Sequence, residues 1–143
     1  MQAREHIWLN EPRKAIPKLD RALAMEPNFA EALALLGKLR QEERQEYHLA
    51  ELLFQRALKL QPDNLMALSG MAQILDCRGN VDMADQLYGK AVAVSGDDLS
   101  LIMNYAVFLR DVCKDVPRAR EMLLKAHRLA PQHPWLQAHG HEF

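Results

Sequence analysis

Four seven-residue segments of this chain align without gaps: Arg21–Pro27, Arg56–Pro62, Lys90–Gly96 and Lys125–Pro131. They recur at intervals of 35, 34 and 35 residues. A fixed period in this range marks a stacked-repeat architecture, in which each unit buries its apolar face only against its neighbours. Seven residues before the alanine of each segment stands another alanine: Ala15, Ala50, Ala84 and Ala119. Four residues after these come Leu19, Phe54, Tyr88 and Leu123, all large. Small, large and small residues at offsets of four and three share one face of a helix. The small ones let a neighbouring helix approach closely, and the large one fills the gap beside it.

The helix before each of these repeats as well. Leu33, Leu36 and Gly37 correspond to Leu68, Met71 and Ala72, and to Ile102, Tyr105 and Ala106. A large residue followed by Gly or Ala at constant phase predicts a tight helix crossing. Pro27, Pro62 and Pro131 stop a helix, because proline cannot donate a backbone bond and disfavours helix in the residue before it. Gly96 takes that place in the third unit. Each stop is followed by an N-cap candidate: Asn28, Asp63 or Asn64, and Asp97 or Asp98. Asn28 and Glu31 have capping-box spacing. Short polar turns, Cys77–Asn80 and Cys113–Asp115, separate paired helices, and Pro117 suits a first helical turn. Helices are expected over 1–9, 12–25, 29–42, 46–60, 64–77, 81–94, 98–112 and 116–129. Pro17 is expected in an early turn, where its missing donor costs little.

Composition agrees. Leu, Ala, Glu, Arg, Lys and Gln, all good helix formers, dominate, and threonine is absent, which argues against a sizeable sheet. Eighteen basic against nineteen acidic residues leave a formal charge of −1. That balance disfavours nucleic acid and anionic membrane as partners. Cys77 and Cys113 cannot make a disulfide scaffold and read as free thiols of a reducing compartment. No apolar run has the length to span a bilayer, and the first nine residues are no secretory signal. The location expected is intracellular, in the cytoplasm, with an organelle left open.

Over Glu11 to Pro131 the chain resembles the tetratricopeptide repeat. The resemblance implies an all-α fold, a right-handed α-α superhelix or solenoid of about three and a half helix-turn-helix units. The units run over about 1–29, 30–64, 65–98 and 99–131, with 132–143 as a tail or short capping segment. There, Trp135 and Leu136 fold over the last unit as a lid, unless this is an excised segment or partners cover the ends. The chain departs from the family pattern where its usual Trp is Leu33, Leu68 and Ile102, and where its usual Tyr is Arg40, Leu75 and Leu109. Units two and four carry one extra residue between their helices.

Candidate chemistry is sparse. His133, His139 and His141 cluster in the tail, but their spacing fits no ligand pattern, so no metal is expected. His127 replaces Leu23, Leu58 and Val92 of the sister units and is expected half-buried. There is no Gly-x-Ser-x-Gly, phosphate loop or dinucleotide fingerprint, and Glu42–Glu43 and Asp97–Asp98 are adjacent and diverge. Neither an enzyme nor a cofactor is expected.

What the resemblance implies instead is a protein-interaction scaffold or adaptor within an assembly. The first helix of each pair lines a concave groove for a partner helix or extended peptide. The groove residues are Glu31, Ala34, Leu35, Lys38 and Glu42, then Met66, Ser69, Gly70, Gln73 and Cys77, then Ser100, Met103, Asn104, Val107 and Asp111. Of these, Leu35, Lys38, Met66, Gly70, Gln73, Met103, Asn104 and Val107 are the expected contacts. Many family members clamp an acidic chaperone tail, but of that clamp's positions only Asn104 matches, and Glu31, Ala34, Met66, Gly70 and Ser100 stand where cations would. Alternatives are an RNA-binding helical repeat, with Arg21, Arg56, Lys90 and Lys125 as a basic stripe, a co-chaperone adaptor without the clamp, and self-association through open repeat ends.

Overall fold

The computed structural model describes residues 12–43 and 46–143. Among these the chain is all-α: α1 Pro12–Met25, α2 Ala30–Glu43, α3 Tyr47–Leu60, α4 Leu65–Cys77, α5 Val81–Val94, α6 Leu99–Asp111, α7 Val116–Leu129, α8 Pro134–His139 and a final 3-10 turn, Gly140–Glu142. From α1 to α7 the bounds agree with expectation to within a residue. The helix expected over 1–9 lies outside the described residues. None of the described helices is long and apolar enough to cross a membrane. The chain forms two compact units, Met1–Ile74 and Leu75–Phe143.

The turns between repeats follow one recipe. Helices α1, α3, α5 and α7 all end two residues before Pro27, Pro62, Gly96 or Pro131. Asn64, Asp98 and His133 then each donate a backbone N–H to the carbonyl three residues back, at 3.1, 3.4 and 3.1 Å. The same three residues cap the next helix. Asn64 Oδ1 accepts from Ala67 N at 3.0 Å, Asp98 Oδ1 from Leu101 N at 3.1 Å, and His133 Nδ1 from Trp135 N at 3.2 Å. The second residue after the stop is therefore the capping one. In the first turn that residue is Phe29, whose carbonyl accepts from Leu33 N at 3.0 Å, and Asn28 sits one residue outside the capping position.

Within repeats, Asp115 caps α7 through Arg118 N at 3.3 Å, with Pro117 in the first turn. Gly79 turns the chain between α4 and α5 at φ 79, a conformation easy for glycine, whereas Lys114 adopts φ 56 in the α6–α7 turn at some steric cost. Pro17 differs from expectation. It stands exposed inside α1, past the first turn, so one backbone bond to the carbonyl four residues earlier is forfeited.

In the first unit the core is built from Ala15, Ile16 and Leu19 of α1, Leu33 and Leu36 of α2, Ala50, Phe54 and Ala57 of α3, and Ala67 and Leu68 of α4. All four phase-matched alanines, Ala15, Ala50, Ala84 and Ala119, are 0% exposed, so the sequence period does mark helix-crossing sites. Ala22, by contrast, is half-buried where its sisters Ala57, Ala91 and Ala126 are buried.

Phe54 is wedged between two glycines. A Cβ on Gly37 of α2 would lie 2.8 Å from its ring, and one on Gly70 of α4 closer still. Both helices approach the ring with bare backbone. In the second unit the equivalent ring is Tyr88 of α5, which stacks on Tyr105 at 5.6 Å between centroids and tilts against Phe108 at 4.9 Å, both on α6. Ala84, Ala91, Ala106, Ala119 and Ala126 supply the close crossings there. Leu136 of α8 is buried as well.

Gly70→Ala should lower stability by about 1–2 kcal/mol, because the added methyl overlaps the Phe54 ring and outweighs alanine's better helix propensity. Urea denaturation checks this. Phe54→Leu should cost less in the Gly70→Ala background than in the parent, since the smaller side chain relieves the overlap.

Candidate functional site

The expected groove residues lie on α2, α4 and α6. On α2, Leu35 is half-buried, Lys38, Glu31 and Glu42 are exposed, and Ala34 is buried. On α4, Met66, Ser69 and Gln73 are half-buried and Cys77 is exposed. Gly70 is buried against Phe54 and offers a partner no side chain. Gln73 Oε1 accepts from Gln41 Nε2 at 3.1 Å, a bond between α4 and α2 made by a nearly buried amide. Ser69 Oγ donates to the Leu65 carbonyl of its own helix at 2.9 Å. The first unit thus offers Leu35 and Met66 as soft contacts, with Lys38 beside Leu35.

On α6 of the second unit, Met103 and Val107 are half-buried, while Ser100, Asn104 and Asp111 are exposed. Met103, Val107 and Arg110 follow one another at offsets of four and three and share a face. Arg110 is half-buried, and its guanidinium is held by Asp111 through two bonds, Nε to Oδ1 at 2.6 Å and Nη2 to Oδ2 at 3.1 Å. That bidentate pair holds the Asp111 carboxyl below its usual range.

Two polar networks were not foreseen. In the first unit Arg40 reaches Asp20 of α1 through Nη2 at 3.3 Å and both oxygens of Glu46 through Nη1 at 3.3 Å. Its side chain is only 15% exposed, and its Nε is buried with no partner among the described residues. In the second unit Asp85 of α5 accepts two bonds from Arg118 of α7, each 2.9 Å, and a bond from the Tyr105 hydroxyl of α6. Arg118 Nη2 also donates to the Tyr105 oxygen at 2.6 Å. One carboxylate thereby ties three helices together. Part of the signal was in the alignment: Tyr105 fills a slot that is Leu36 and Met71 elsewhere, and Arg118 one that is Lys14, Leu49 and Met83.

Electrostatics reinforce this clamp. The Arg118 guanidinium holds the Asp85 carboxyl below its usual range. Burial first, then the bond to Asp85, raises the Tyr105 hydroxyl above its ordinary value, and burial pushes Tyr88 up to about 12. Both phenols stay protonated, and that of Tyr105 donates to Asp85. Burial also raises the Cys113 thiol, which disfavours the nucleophilic thiolate.

His133 caps α8 and His139 Nδ1 faces Glu142 Oε1 at 3.3 Å. His127 is exposed, not half-buried, although its sister Val92 is buried. Of the basic stripe, Arg56 donates from Nη2 to the Pro27 carbonyl at 3.0 Å. Lys125, in the same phase, lies beside Gly96, where a Cβ would come within 3.3 Å of its Nζ. Both reach back over the turn that precedes their own repeat.

Residues 67–102 match the family model described as tetratricopeptide repeat. No match was found among curated proteins. Solved structures share the fold at low identity. PilF of Pseudomonas aeruginosa is 21% identical with a TM-score of 0.78, over 93% of this chain and 60% of that one. MamA of Desulfovibrio magneticus is 22% identical with a TM-score of 0.75, over 97% and 76%. A tetratricopeptide repeat protein of Parabacteroides merdae is 14% identical with a TM-score of 0.71, over 93% and 52%.

Asp85 has a folded pKa below its unfolded value, so its pairing stabilises the chain above about pH 4 and is lost as pH falls through the folded pKa. Asp85→Asn should therefore cost about 1 kcal/mol at neutral pH, a figure that allows for solvent screening of the half-exposed Arg118. The difference from the parent should shrink as pH falls below about 4 and on through the folded pKa. Urea titrations of both proteins across this range check it.

Proposed function

We propose that this chain, which belongs to the tetratricopeptide-repeat family, is a non-catalytic protein-interaction module that holds an amphipathic helix or an extended apolar segment of a partner. The observation that carries this reading is the character of the faces on α2, α4 and α6. Leu35, Met66, Met103 and Val107 are half-buried there, presented by helices whose opposite sides are fixed in the cores of their units. Methionine is unbranched and polarizable, so it adapts to irregular apolar surfaces. In the first unit the apolar anchors stand with exposed Lys38 and in the second with exposed Asn104, so each face suits a ligand with one greasy and one polar edge.

Two other readings draw less support. A basic stripe for RNA would need its cations aimed outward, and Arg56 is bonded to the turn behind it while Lys125 lies beside Gly96. A carboxylate clamp lacks its cations, since Glu31, Ala34, Met66, Gly70 and Ser100 hold those positions. Drawing an acidic tail out of water without them is unfavourable.

The immobilised chain, with retained proteins identified by mass spectrometry, tests the proposal. Met66→Glu and Met103→Glu should each cut retention of a partner about tenfold, the loss of one buried apolar anchor, while helical circular dichroism stays unchanged. Undiminished retention by both variants overturns the assignment of these faces.

A further inference from the structure

The α6 face does not end at Val107. One turn on stands Arg110, which no sister helix matches: the same slot holds Gln41 in α2 and Asp76 in α4. Its guanidinium is already occupied twice over by this chain's own last residues. Arg110 Nη1 donates to Glu142 Oε2 at 3.1 Å, and the guanidinium carbon lies 4.5 Å from the centroid of the Phe143 ring. From α7, Arg120 Nε donates to the main-chain oxygen of Phe143 at 2.6 Å. From α8, Trp135 meets the Phe143 ring edge-on at 6.3 Å, and His139 pairs with Glu142.

These contacts read a two-residue message. A carboxylate is met by a charge-assisted bond, an aromatic face by a stacked cation, and the main chain by a second guanidinium. Arg110 is fixed in advance by the bidentate bond to Asp111, so little side-chain freedom is lost when a ligand docks. The Glu142–Phe143 pair follows one buried anchor of α8, Leu136, through a 3-10 turn at Gly140–Glu142.

We infer that Arg110 and Arg120, with Trp135 beside them, form a binding site for an acidic residue followed by an aromatic one, which the chain's own Glu142–Phe143 fills as an internal ligand that a partner segment displaces. The inference rests on the reading of the α6 face as a partner-binding surface, and it adds a sequence preference to it. Tethering gives the internal ligand an effective concentration in the millimolar range, so the parent chain should bind weakly and a chain without the Glu–Phe pair strongly.

Fluorescence anisotropy with a dye-labelled peptide ending in Gly-His-Glu-Phe tests this on the full chain. The Glu142→Ala, Phe143→Ala double variant should bind the peptide at least about tenfold more tightly than the parent. Adding Arg110→Ala should abolish the gain, and Arg110→Lys, which keeps the charge but not the planar stack, should restore it only in part. Circular dichroism melting confirms that each variant is folded. Equal affinity for parent and double variant, no detectable binding to either, or a gain that survives Arg110→Ala overturns the inference. The underlying reading fails separately: it fails if Met66→Glu and Met103→Glu leave partner retention intact, whatever the peptide does.

Discussion

Helices of thirteen or fourteen residues are too short to be stable alone in water, so their stability has to come from packing. Packing at close range requires that something be left out. Here it is side-chain volume: alanine recurs at every crossing, and at Phe54 even the Cβ is missing on both sides. A flat ring slides between two bare backbones and is fully enclosed. Dispersion falls steeply with distance, so this fit makes one aromatic side chain hold α2, α3 and α4 in register. The second unit solves the same problem differently, with a cluster of three aromatic rings, Tyr88, Tyr105 and Phe108, and with no glycine against them closer than ordinary contact.

Each unit also carries one arginine where at least two sister repeats have an apolar residue. Arg40 and Arg118 both tie successive helices to carboxylates, Asp20 and Glu46 in one case and Asp85 in the other. Such bonds are directional, whereas burial of aliphatic surface is not. Replacing an aliphatic contact by a fork of hydrogen bonds fixes an angle as well as a distance. The faces proposed for recognition on α2 and α6 lie on helices held in this way, which would limit the reorganisation needed on binding.

The architecture was legible because its signal is repeated. Period, alanine phase and stop residues each recur three or four times, and they bounded seven helices to within a residue. What occurs only once was harder to see. Asn28 looked like a cap because asparagine favours caps, yet the turn geometry puts Phe29 there. Gly70 fits the spacing of a groove residue, but spacing along one helix does not reveal that a ring from another occupies the place of its side chain. His127 aligned with apolar sisters and nevertheless faces solvent. The Asp85–Tyr105–Arg118 network is spread over three helices and needs the fold before its members meet. Helix α8 is six residues long, too short to establish a period, and its cap is a histidine.

The basic residue that reaches back over the preceding turn is a small feature with a long reach. Arg56 bonds to the carbonyl of Pro27, and Lys125 lies against Gly96. For Arg56 the acceptor is main chain, and every residue type supplies a carbonyl. The tether is therefore indifferent to which side chain is written in the turn. Linkers between such repeats are free to drift in sequence while their shape is inherited, so kinship among these proteins outlasts its trace in the letters of the loops.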